Sequence, residues 1–216
     1  MALPLLQIAL DDTNLESALH TANLVCDGVD IIEAGTILCV SEGVRTVSIL
    51  RSLFKDKTIV CDLKVADAGD VLARKAFEAG ANWMTVICAA PLATMLAAKD
   101  VAIEHNGDIQ IELFGNWTFD NAKEWVQNGI TQAIYHRGRD AEKSGQAWSD
   151  TDLDKMKKLS DLGICVSVTG GIKPEDIYLF KDINVKAFIA GRSIAKSCDP
   201  IAACNAFHAK FKEYFV

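Results

Sequence analysis

Eight short apolar runs recur along the chain at intervals of about 25 residues, with longer amphipathic stretches between them. They are LLQIALD (5–11), DIIEAG (30–35), TIVCDLK (58–64), WMTVIC (83–88), IQIELF (109–114), QAIYHR (132–137), ICVSVTGG (164–171) and AFIAGR (187–192). Most are rich in Ile and Val, as strands buried on both faces of a parallel sheet are. The intervening stretches carry helix signals. Thr13 is placed to cap a first helix, with Glu16 three residues on. Thr118 opens and Gly129 closes another, Ser149 and Gly163 bracket a third, and Pro174 stands in a first turn, where its missing N–H costs nothing. DPIAACNAFHAKFKEYF ends the chain as an amphipathic helix. Strict alternation of eight β/α units predicts an α/β fold, a (β/α)8 TIM barrel forming one domain over residues 1–216. A barrel typically needs about 250 residues, so short loops are expected. A doubly wound open sheet competes, but the first turn, LDDTNLE, lacks its glycine fingerprint.

In a barrel the active site lies at the C-terminal ends of the strands. The first run ends on Asp11, the second reaches Glu33, and the third carries Asp62 and Lys64. The fifth carries Glu112, and the sixth ends on His136, followed by Arg137 and Arg139. The seventh ends on Thr169, Gly170 and Gly171, the eighth on Gly191 and Arg192. Charge thus collects at one rim. Asp62 and Lys64 are two apart on a strand, so they should share a face and converge on the barrel mouth. Glu33 and Asp62 end adjacent strands, and two nearby carboxylates repel unless a proton or cation lies between them. Hard oxygen donors with room for water suit Mg2+. The glycine turns VTGGIKPED and IAGRSI, with Arg192, are the candidates for holding phosphate, since backbone N–H groups can approach its oxygens there. His136 is a candidate proton donor. His20, His105 and His208 are expected on the surface, and Trp83, Trp117, Trp125 and Trp148 in the core or an interface.

The net charge of −7 argues against a nucleic-acid partner or an anionic membrane surface. Any phosphate must therefore be held locally. MALPLLQIALDD lacks a basic segment and a cleavage site and reads as a first strand rather than a leader. No apolar run reaches the about 18 residues of a membrane span. The seven cysteines include no C-x-x-C pair, and Cys61, Cys88 and Cys165 fall in apolar runs. Reduced core thiols in a cytoplasmic protein are expected.

DLKVADAG, Asp62 to Gly69, resembles the D-x-K-x-x-D signature of the orotidine monophosphate decarboxylase suprafamily. The likeness runs over the whole chain, through LQIALD, VDIIEAGTILCVSEGV, IQIELFGNWT, YHRGRDA, SVTGGI and FIAGRSI. Within the suprafamily the chain is most similar to the 3-keto-L-gulonate 6-phosphate decarboxylases. The 3-hexulose-6-phosphate synthases, aldolases on the same scaffold, are the nearest alternative. Glu112, Arg139 and Thr169 match the decarboxylase pattern, and the signature here lacks the synthase's usual D-M-K-T-M-D form.

The resemblance implies Mg2+-dependent loss of CO2 from a β-keto acid phosphosugar through a cis-enediolate. It assigns Glu33 and Asp62 to the metal, and Lys64 to a fixed positive charge beside the reacting carbons. Glu112 and His136 would deliver the proton, with Arg139 positioning a water. Asp11 and Thr169 would meet the substrate, and Gly170, Gly171, Gly191 and Arg192 would lie at its phosphate. It also implies a homodimer in which Asp67 crosses to the neighbour's lysine, leaving Lys64 between two carboxylates. The apolar C-terminal FKEYFV is compatible with burial in such an interface. A non-catalytic phosphosugar-binding protein would keep the glycine turns and Arg192 but has no need of Glu33, Asp62 and Lys64 together.

Overall fold

A computed structural model describes residues 3–215. Met1 and Ala2, the start of the stretch read as a first strand, and Val216, the end of FKEYFV, lie outside the described residues. The eight strands are β1 (Leu5–Leu10), β2 (Ile31–Ala34), β3 (Thr58–Val65), β4 (Trp83–Ile87), β5 (Asp108–Leu113), β6 (Gln132–His136), β7 (Cys165–Thr169) and β8 (Val185–Ala190). They close into a barrel in sequence order, with every neighbouring pair parallel. Pairing of Gln7 with Ile189 completes the circle between β1 and β8. The predicted (β/α)8 barrel is therefore the observed fold, with strand limits shifted by one to two residues.

The outer faces of the strands bury Leu6, Ile8, Ile32, Ile59, Met84, Ile109, Val166 and Phe188 against the surrounding helices. A smaller cluster of Leu5, Ile31, Val60, Trp83 and Ala187 fills the barrel toward the N-terminal ends of the strands. Gln7, Thr85, Gln110 and Ser167 are polar yet wholly buried. The floor of the mouth is thus polar, while the N-terminal end of the barrel is plugged with hydrocarbon.

Several local expectations need correction. Asn14, not Thr13, caps the helix Leu15–Val25, with its side-chain oxygen accepting from Ser17 N at 2.9 Å. Asn caps as well as Ser or Thr, so the adjacent residue could take the role. Thr118 and Ser149 do cap their helices, each through a reciprocal pair of bonds with the residue three on, Asn121 and Asp152. The segment Pro174–Phe180 is a 3-10 helix rather than an α-helix. Ile177 and Phe180 are both fully buried, and a three-residue repeat keeps residues at that spacing in line. Cys165 is exposed, because its position begins β7 at the rim of the barrel's N-terminal end. Two aromatic residues of FKEYFV turn inward: Phe211 and Phe215 pack on Phe188 at 5.3 and 5.9 Å between ring centroids, in the chain's own core. His208 is half-buried, with Nε2 2.9 Å from Gly28 O. Among the described residues no helix is long and apolar enough to cross a membrane.

Candidate active site

Asp62 and Lys64 share the inward face as expected, alternating with Cys61, Leu63 and Val65 on the outer cluster, but the strand is irregular there. The β3–β4 register shifts between Cys61 and Val65, and Lys64 adopts a left-handed backbone, φ 47°. Such a conformation is unfavourable for a residue with a Cβ and marks a locally constrained chain. Thr85 holds it: its Oγ1 accepts from Lys64 N at 2.8 Å and donates to Asp62 Oδ1 at 2.6 Å. The bulge turns the Lys64 side chain back over the barrel mouth. There Nζ donates to Asp62 Oδ2 at 2.5 Å and to Thr36 Oγ1 at 2.9 Å, and lies 3.3 Å from Glu112 Oε1. Lys64 therefore stands between two carboxylates of its own chain, Asp62 and Glu112. Burial pulls its pKa down, but Glu112 and Asp62 outweigh that and raise it above the ordinary lysine value. Burial likewise works against charge on Asp62, yet Lys64 and the Thr36 and Thr85 hydroxyls hold that carboxyl below its usual range.

Glu33 is in the opposite condition. It is buried, and its one hydrogen bond among the described residues comes from Gln7 Nε2, at 2.6 Å. Burial, and then the charge of Asp62, push its carboxyl well above the usual range. Asp11 is raised for the same two reasons in the same order. A carboxylate with few donors beside a second carboxylate is a natural place for a cation. No group of three or more His, Cys, Asp or Glu side chains forms a metal cage among the described residues. The donor set fits a hard ion that takes one or two carboxylates and completes its shell with water and ligand oxygens, as Mg2+ does.

Glu112 Oε1 also contacts His136 Nδ1, so one carboxylate joins the lysine to the histidine. Arg139 lies at the start of the helix Arg139–Lys143, on the same cavity wall. Across the mouth, Gly170 (φ 114°) and Gly171 (φ 63°) follow β7. A Cβ on Gly170 would run into the backbone of Arg137. Arg137 in turn donates to Gly170 O through Nε at 3.0 Å and Nη2 at 2.6 Å, clamping the turn. Ile194 N and Ala195 N return to Gly191 O, which leaves the N–H groups of Arg192 and Ser193 without a helical acceptor.

Every sequence-predicted site residue except Asp67 lines one cavity of about 390 Å3. Asp67 is exposed and outside it. Thr36, Glu142, Lys173 and Ser193 line the cavity too. Lys173 and Ser193 fall within the glycine turns VTGGIKPED and IAGRSI, whereas Thr36, Glu142 and the buried support Thr85 were missed. Thr36 sits one residue beyond the second run, so widening that run would have found it. Glu142 and Thr85 carry no sequence signal.

Comparison with known proteins gives a consistent result. The chain is 58% identical over 210 residues to 3-keto-L-gulonate-6-phosphate decarboxylase SgbH of Escherichia coli strain K12, covering 97% of this chain and 96% of that one. It superposes on KGPDC from Streptococcus mutans, solved with a bound ligand, with a TM-score of 0.98, 46% identity and full coverage of both chains. A 3-hexulose-6-phosphate synthase structure gives a TM-score of 0.89 at 31% identity, covering 95% of this chain and 99% of that one. The model of the orotidine 5'-phosphate decarboxylase / HUMPS family matches residues 4–207, and the chain belongs to that family.

Proposed function

We propose that the chain decarboxylates 3-keto-L-gulonate 6-phosphate to L-xylulose 5-phosphate and CO2. The observation that carries this reading is the Asp62–Lys64–Glu112–His136 chain of contacts at the floor of the mouth, facing the glycine turns and Arg192. In a β-keto acid the C1–C2 bond breaks toward the C3 ketone, CO2 leaves, and the bonding electrons stay as a cis-enediolate. Lys64 supplies a fixed ammonium beside that developing charge, already ordered by Asp62, Thr36 and Glu112, so little reorganisation is needed as the reaction proceeds. A Mg2+ held by Glu33 and Asp62 would supply Lewis-acid stabilisation of the same oxygens.

The carbon that lost the carboxylate must then gain a proton. His136, contacting Glu112, is placed to deliver it directly or through a water oriented by Arg139. Asp11 takes substrate hydroxyls. At the other end Gly171, Gly191 and Arg192 grip the phosphate, whose binding energy orients the reacting end. Asp67, outside its own cavity, fits a role across a two-fold interface, where it would complete a neighbouring subunit's site.

The synthase reading differs in chemistry rather than scaffold, since it forms the enediolate by removing a proton and captures it with formaldehyde. One preparation assayed for CO2 release from 3-keto-L-gulonate 6-phosphate and for formaldehyde-dependent consumption of D-ribulose 5-phosphate separates the two. The decarboxylase reading expects CO2 release to dominate in kcat/KM, and dominance of the aldol reaction contradicts it.

A further inference from the structure

The cation assigned to the phosphate is already engaged. Glu142, on the helix Arg139–Lys143 after β6, accepts from Arg192 Nη2 through Oε2 at 2.5 Å. Its carboxylate rests directly on Gly171, and a Cβ at that position would collide with both of its oxygens. Arg192 lies two residues beyond β8 and Gly171 two beyond β7, so a side chain 50 residues before Arg192 reaches across the mouth to meet both. Like a phosphate, this group presents paired anionic oxygens to a guanidinium over a glycine turn.

The segment bearing Glu142 is lightly anchored. Its helix buries no residue, Ser144 to Ala147 are exposed, and Gly145 (φ 88°) has open space around it. The ion pair itself is part-exposed, 37% for Arg192 and 28% for Glu142. Moving the carboxylate out therefore costs little core packing.

We infer that Glu142 is a resident anion of the phosphate subsite, which an incoming phosphate must displace. The inference rests on the reading that Gly171 and Arg192 hold phosphate. Displacement weakens binding of every phosphate ligand by a common factor, so the ranking among phosphosugars is unchanged. Inorganic phosphate has no second contact deeper in the barrel, so it starts from the weakest affinity and the same factor is enough to leave it unbound. Glu142 thereby keeps the free site from filling with phosphate alone, while a phosphosugar that also engages the floor of the mouth still binds.

The test is calorimetric titration of inorganic phosphate into the wild-type protein and the Glu142→Gln, Glu142→Ala and Arg192→Ala variants. Circular dichroism and melting temperature confirm folding. Both Glu142 variants should bind phosphate about two- to fivefold more tightly than wild type, the scale of one part-exposed ion pair. Arg192→Ala should abolish the gain when combined with Glu142→Ala. Equal affinity in wild type and both Glu142 variants, with Arg192→Ala still lowering it, overturns the resident-anion inference and leaves the phosphate subsite standing. Phosphate affinity that ignores Arg192→Ala in every background overturns both.

Discussion

Glu33 meets no cation among the described residues, and this has a consequence for stability that can be measured without substrate. Its folded pKa lies above the unfolded value of about 4.3, so its contribution favours folding below that pH and is lost as pH rises through the folded pKa. Charged Glu33 therefore works against the metal-free fold at neutral pH. Glu33→Gln should raise the melting temperature of metal-free protein at pH 7, by about 2–4 °C for each kcal/mol relieved in a domain of this size. The gap between the two proteins should close as pH falls toward 4. Mg2+ should raise the melting temperature of wild type and leave Glu33→Gln unmoved. A variant that melts below wild type at neutral pH in EDTA contradicts the strain assigned to Glu33. Lys64 shows the limit of reading at this scale. Its identity and place at a strand end were legible, but the left-handed φ that aims it was not, because the bulge depends on a hydroxyl from the neighbouring strand.

That hydroxyl belongs to β4, and the β3–β4 junction is the element on which the site turns. Thr85→Val keeps the shape of the side chain while removing both bonds that hold the bulge. A hydrogen bond to a charged group is worth about 1.5–3 kcal/mol, so kcat should fall by roughly tenfold to a hundredfold. Phosphate affinity should be unchanged, since β7 and β8 are untouched. Unaltered kcat would show that the bulge holds itself. The alternation of strands and helices was legible because the strands are buried on both faces and most of the helices on one, which writes two periods into the sequence. Element ends were less so. Asn14 and Thr13 are near-equivalent as caps, and Asn14 is the one that takes the extended cap conformation and the bond to Ser17 N. The site residues at strand ends followed from the barrel topology itself. Glu142 did not, because a long side chain on a surface turn gives no sign of which way it will lie.

At the scale of the whole molecule, the described chain supplies the lysine, both of its carboxylate neighbours and the residues proposed to hold a metal and a phosphate from one barrel. Only Asp67 is left over. If it completes a neighbour's site, neither Lys64→Ala nor Asp67→Ala homodimers will turn over well, yet mixing and reannealing them should restore activity. Half of the dimers would be hybrids with one intact site of two, giving about a quarter of wild-type turnover for a two-fold assembly. No recovery on mixing would place Asp67 outside the chemistry. The central claim remains that a half-buried, pre-ordered ammonium neutralises the charge left when CO2 departs. Its most direct test is kcat for CO2 release by Lys64→Ala at saturating 3-keto-L-gulonate 6-phosphate and Mg2+, with folding checked by circular dichroism. A loss of at least about 10²–10³ is expected for removal of such a contact, and turnover close to that of the wild type would contradict the account.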